Sequence, residues 1–82
     1  MIKHVTRTAL TTFDLEKGFE VDVIEKFNTD LKEFWLYHPE CEIKMWMFTE
    51  RAESIEEMAL LINHATQEQI DFYFSTYMGF RE

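Results

Sequence analysis

The chain has almost none of the residues that staple, bend or break a polypeptide: one cysteine, one proline and two glycines among 82 residues. A lone thiol, Cys41, excludes an intrachain disulfide, the usual support of small secreted domains. Scarce glycine and proline leave little material for long loops, which disfavours disorder. No stretch approaches the ~20 apolar residues that span a bilayer. The opening Met-Ile-Lys-His-Val-Thr-Arg carries charge but leads into no apolar run of signal-peptide length, so no targeting segment is expected. With a free thiol as well, the cytoplasm is the expected compartment.

Positive charge is the second shortage. Eight Lys and Arg face sixteen Asp and Glu, for a formal net charge of −8. Residues 1–13 hold Lys3 and Arg7 and no acid, so the remainder of the chain carries all sixteen acids. Such a body repels nucleic acid and anionic membrane surfaces and attracts basic protein surfaces. Apolar surface is abundant instead: 46% of residues are hydrophobic and 16% aromatic, including eight Phe and two Trp. Each large side chain contributes roughly 1.5–3 kcal/mol when fully buried. That content supports one compact domain over residues 1–82 without staples.

Periodicity predicts a small α+β domain. Residues 3–13, rich in Thr, read as a strand. Residues 14–18 read as a turn, with Gly18 free to take a positive φ. Phe19, Glu20 and Val21 add a short second strand that closes a hairpin. From Asp22 the apolar residues Val21, Ile24, Phe27, Leu31, Phe34, Trp35 and His38 recur at three- and four-residue steps, as on a helix ended by Pro39. Asp22 and Glu25 form a capping box at its start. A competing reading extends the second strand through Val23 and starts the helix at a box formed by Asp30 and Glu33; the longer helix is preferred. Residues 41–49 read as a central strand with apolar side chains on both faces. Two helices follow, one from a Ser54/Glu57 box to about Ala65 and one from a Thr66/Gln69 box to about Met78, closed by Gly79. The expected order is N-terminal strand or hairpin, helix, central strand, C-terminal helical hairpin.

Chemistry-bearing residues are sparse. His38-Pro39-Glu40-Cys41 is the one close His/Cys pairing, and it supplies at most half of a tetrahedral zinc site. A Cys/His hydrolase needs an orienting group and an oxyanion hole besides. There is no glycine-rich phosphate loop. No catalytic residue, metal or cofactor is expected, and a small Cys/His enzyme is the least favoured reading. The last helix carries Glu68 and Asp71 and no Lys or Arg before Gly79, so as the reading helix of a helix-turn-helix it would repel phosphate.

The acids fall into two groups. Glu16, Glu20, Asp22 and Glu25, beside Asp14, surround the turn and the first helical turn. Glu50, Glu53, Glu56 and Glu57 lie before and inside the next helix. Two rows of carboxylates on a rigid frame suit a basic groove on a nucleic-acid-handling protein. Phe72 leaves the apolar stripe of its helix, as does Leu60, and both suit desolvated contact. These nine residues, the eight acids and Phe72, are the expected partner-binding set. In composition alone the chain is similar to small acidic proteins that bacteriophages direct against host nucleases, restriction systems or polymerases, and to antitoxins. The expectation is a non-enzymatic module that inhibits or modulates a basic partner. The alternative is a homo-oligomer whose acids serve only solubility.

Overall fold

A computed structural model describes residues 9–26 and 29–79. The expected strand residues Lys3, His4 and Arg7, the helical Phe27 and the tail residue Phe80 lie outside the described residues. Four strands, β1 (Thr11–Asp14), β2 (Glu20–Glu25), β3 (Leu31–Tyr37) and β4 (Lys44–Arg51), form an antiparallel sheet in sequential order. One helix follows, α1 (Ile55–Tyr73), and runs on into a π-helical turn, Phe74–Met78. The α+β class stands. The order of elements differs from the expected one.

The expected hairpin forms at the start. β1 pairs with β2 through a 3₁₀ turn, Glu16–Gly18. Lys17 and Gly18 there take φ values of 61° and 84°, the left-handed region glycine tolerates without strain. The expected helix from Asp22 to Pro39 does not form. Its residues make β2, a reversal and β3 instead. Thr29 organises that reversal: its hydroxyl donates to the Lys26 carbonyl and accepts from the Leu31 N–H. Both periods fit this stretch, but Val21, Val23, Ile24, Phe34, Trp35 and Tyr37 are β-branched or aromatic and fit a pleated surface. Neither Asp22 nor Asp30 caps a helix, because Asp22 lies within β2 and Asp30 in the bend before β3.

The C-terminal helical hairpin is likewise one continuous helix. The Thr66 hydroxyl donates back to the Ile62 carbonyl, so Thr66 is an interior residue and no N-cap. No glycine or proline stands between Ser54 and Gly79 to break the run. The Ser54 N-cap does form: its hydroxyl accepts from the Glu57 N–H at 3.1 Å, while the Glu57 carboxylate reaches one residue further back and accepts from the Glu53 N–H at 2.6 Å. Gly79 has φ −62°, so the helix does not end on a left-handed glycine.

The core lies between α1 and one sheet face. Phe19, Val21 and Val23 from β2 and its approach, Phe34 and Leu36 from β3, and Met47 from β4 meet Met58, Ile62 and Tyr73 of the helix. Met47 is the extra residue of a bulge opposite Phe34 and Trp35, and it turns inward where the pairing slips. Leu36 is fully buried, because on a strand it shares a face with Phe34. Ile55 and Phe74 are exposed. Ile55 sits at the first helical position and Phe74 in the π turn, where the residue period departs from that of an α-helix. Among the described residues, no helix is long and apolar enough to cross a membrane.

Candidate protein-binding face

A single helix covers one side of this sheet, and among the described residues no element covers the other. Strand alternation decides what the open side carries. Val21, Val23, Phe34 and Leu36 are buried toward the helix, so Glu20, Asp22, Glu33, Trp35 and Tyr37 project away from it. Register then arranges them in transverse rows. Thr12, Asp22, Trp35 and Trp46 stand side by side across the four strands, and Asp14, Glu20, Tyr37 and Lys44 form the next row. The face is therefore divided. Its β1–β2 half carries Asp14, Glu20 and Asp22 with Ile24; its β3–β4 half carries Trp35, Tyr37 and Trp46 with Glu33 and Lys44.

The polar side chains are held in place. Asp22 is only 6% exposed although it lies on the open side. One of its oxygens accepts from the Thr12 hydroxyl at 2.8 Å and the other from the Lys44 ammonium at 2.9 Å. That pairing and hydrogen bonding is what a buried carboxylate requires. The Lys44 ammonium also lies 4.9 Å from the centre of the Tyr37 ring, within cation–π range. The Tyr37 hydroxyl donates to Glu20 at 2.6 Å, a short charge-assisted bond. That bond holds the Tyr37 phenol well above its ordinary pKa, and burial and the fields of Asp22, Glu20 and Asp14 add to it. The indole N–H groups are satisfied locally, Trp35 by Glu33 at 3.2 Å and Trp46 by Thr49 at 2.9 Å. Trp46 nonetheless leaves 52% of its surface exposed.

The expected partner-binding residues do not form two rows. Glu20 and Asp22 share the open face. Glu16 lies in the β1–β2 turn. Glu25 stands at the far end of β2, where Lys32 separates it from Glu50 across the strands. Glu53 and Glu56 are exposed at the start of α1, and the Glu57 carboxylate is engaged in the cap. Phe72 is 55% exposed on the helix. The aromatic half of the face, with Asp14, Glu33 and Lys44, was not part of the expected set. The alternation of Glu33, Trp35 and Tyr37 against Phe34 and Leu36 carries the signal for it, once that segment is read as a strand.

His38 and Cys41 each bond to other groups. The His38 Nδ1 accepts from the Glu40 N–H at 3.1 Å and its Nε2 lies 3.0 Å from the Lys17 carbonyl, a pattern that fits the neutral ring protonated on Nε2. The Cys41 thiol donates to the Tyr77 carbonyl. His38 thus ties the β3–β4 connection to the β1–β2 turn, at the edge of a shallow cleft of about 250 Å³ between that turn and the end of α1. Among the described residues, no three His, Cys, Asp or Glu converge to hold a metal ion. No protein-family model, curated protein or solved structure matches the chain.

Proposed function

We propose that this protein is a non-enzymatic binding module that docks its open sheet face onto a basic, nucleic-acid-handling protein and modulates it. One observation carries the reading: on a single face, three aromatic side chains stand beside Asp14, Glu20 and Asp22, and hydrogen bonds hold the last two in place. Aromatic residues at the centre of a contact supply most of its energy, because they bury large area at small entropic cost. Carboxylates at the side steer a positively charged surface and select against acidic ones. A nucleic-acid-handling protein is the favoured partner because its binding groove concentrates Lys and Arg. The acidic start of α1, with Glu53 and Glu56, extends the negative field without having to touch the partner.

The test is capture from lysate on the immobilised protein, run beside the Trp46→Ala and Glu20→Gln variants. A basic protein should be retained by the wild type at low salt. It should be lost with Trp46→Ala and released at about 1 M salt, where the Debye length falls to about 3 Å. Retention that is equal for all three proteins, or indifferent to salt, removes the reading. Homo-oligomerisation is the second reading, favoured by Leu60 and Phe72, both exposed on the helix. It requires a mass by light scattering that grows with concentration and falls in a Leu60→Ser, Phe72→Ser double variant. Pairing through β4 is disfavoured, because the Met47 bulge and the charged Lys44, Glu50 and Arg51 blunt that edge.

A further inference from the structure

The open face already holds one cation, its own. We infer that Glu20, Asp22 and Tyr37 form a surface site for a cationic side chain, that Lys44 occupies it in the free protein, and that an arginine of the partner takes its place. The inference rests on the binding-module reading and names the group that is recognised.

Three features of the geometry support exchange. First, the site has the two components that bind a cation, a carboxylate at 2.9 Å and an aromatic ring at 4.9 Å, and Lys44 demonstrates that an ammonium is accepted there. Second, the occupant and its counter-ion are unequally fixed. The Asp22 side chain is 8% exposed and tied to Thr12, whereas the Lys44 side chain is 48% exposed at the first residue of an edge strand. Lys44 can swing into water without disturbing the core; Asp22 cannot follow it. Third, Lys44 bonds to Asp22 alone, a single point contact on one of two neighbouring carboxylates. Glu20 and Asp22 project from the same face two residues apart, about 7 Å along the strand. The Tyr37 hydroxyl engages one Glu20 oxygen and steadies the group. A guanidinium presents five donors in a planar fork and stacks on aromatic rings, so it reaches both carboxylates while lying against Tyr37. Arginine therefore gains a contact that lysine lacks, and the released Lys44 regains its hydration. Without that differential the incoming cation would have no advantage over the resident one.

The probes are two peptides of equal charge, octa-arginine and octa-lysine, titrated while Trp35 and Trp46 fluorescence and the Lys44 side-chain NMR signals are followed. Octa-arginine should bind the wild type more tightly than octa-lysine and shift the Lys44 side-chain resonances toward free-lysine values. Lys44→Met removes the competitor and should tighten octa-arginine binding roughly two- to fivefold, the scale of an exposed ion pair. Asp22→Asn should weaken it by more than tenfold. Thermal melts of each variant establish that it is folded, and the Lys44 resonance shift in the wild type needs no variant at all. Peptide binding that leaves the Lys44 signals unmoved, or that Lys44→Met fails to tighten, overturns the exchange and leaves the binding face standing. Failure of the wild type to bind either peptide removes the binding-module reading itself.

Discussion

Tyr73→Phe deletes one oxygen atom from the interior and should destabilise the protein by about 1–2 kcal/mol. The hydroxyl is a junction. It donates to the Ile43 carbonyl and accepts from the His38 N–H at 3.3 Å. Those two residues bracket the β3–β4 connection, so a single group pins that turn to the end of α1. Its removal leaves a carbonyl and an amide short of a partner, which costs about 1–3 kcal/mol for a buried group and less where water can return. The length of the His38 bond argues for the lower part of that range. The ring itself stays, and with it the edge contacts to Phe19 at 5.6 Å and Tyr77 at 5.1 Å, so no cavity opens. Tyr73→Ala removes the ring as well and should cost about 3–5 kcal/mol. Urea denaturation followed by far-ultraviolet circular dichroism measures both, with an unchanged denaturant slope as the sign that only stability has moved. In a domain of this size the Phe variant should melt about 4–16 °C lower. A loss below about 0.5 kcal/mol, the scatter of ordinary surface substitutions, would refute the reasoning, because the hydroxyl would then be no junction.

Alkaline titration should destabilise the protein from about pH 10 upward. Burial first, and then the Cys41 thiol, push the Tyr73 phenol above its ordinary 10.0, and the Glu20 hydrogen bond pushes Tyr37 above it too. The native state then holds those protons more tightly than the unfolded chain; their contribution is complete below the unfolded value and is lost as pH rises toward the folded one. Tyr37→Phe and Tyr73→Phe should each flatten that loss, read as chemical-denaturation midpoints against pH, and an unchanged slope in both variants would contradict it. Gly18→Ala should cost about 1–2 kcal/mol rather than stabilise, because φ is 84° there and a Cβ would meet the His38 Nε2 at 3.1 Å; a thermal melt equal to or above the wild type would disprove the assignment. Ser54→Ala should cost about 1 kcal/mol through loss of the N-cap, with Ser54→Asp retaining most of the stability. Equal melting temperatures for Ser54→Ala and the wild type would count against a working cap at that position.

Local signals survived the passage from sequence to structure, and long-range ones did not. The turn at Gly18, the hairpin closed by β2, the apolar strand before Ala52 and the Ser54/Glu57 cap all depend on residues within a few positions of one another. Residues 22–38 failed because Val21, Ile24, Leu31 and Phe34 satisfy a helical period while Val21, Val23, Phe34 and Leu36 satisfy a strand period, and spacing alone cannot choose between them. β-branched and aromatic content was the discriminating evidence. Asp22 shows how one wrong period displaces a site. On a helix it is an outward acid in the first turn. On β2 it is nine-tenths buried, bonded to Thr12 on one neighbouring strand and to Lys44 two strands away. Neither partner is near it in sequence, so no local pattern could have assigned it.

The geometry of a sheet with one helix also explains why acids and aromatics share a face. Four strands leave as much sheet on the open side as on the packed side, and an apolar covering there would invite aggregation. Carboxylates resolve that problem only if they are held, since a carboxylate pressed against indole and phenol rings needs a partner for its charge. Thr12, Tyr37 and Lys44 provide those partners, which is why the β1–β2 half can be dense in acids and still ordered. The same bonds fix the direction in which the charge is presented. In the proposed reading the acidic half then governs how fast a basic partner arrives, through a field that salt suppresses, and Trp46 and Trp35 govern how long it stays. The Lys44 ammonium reaches from the edge strand β4 to the boundary between the two halves, touching an acid and an aromatic ring together. An exchange of cations at that boundary would couple arrival to retention, because the guanidinium that satisfies Asp22 also brings its chain against Tyr37 and the adjoining indoles.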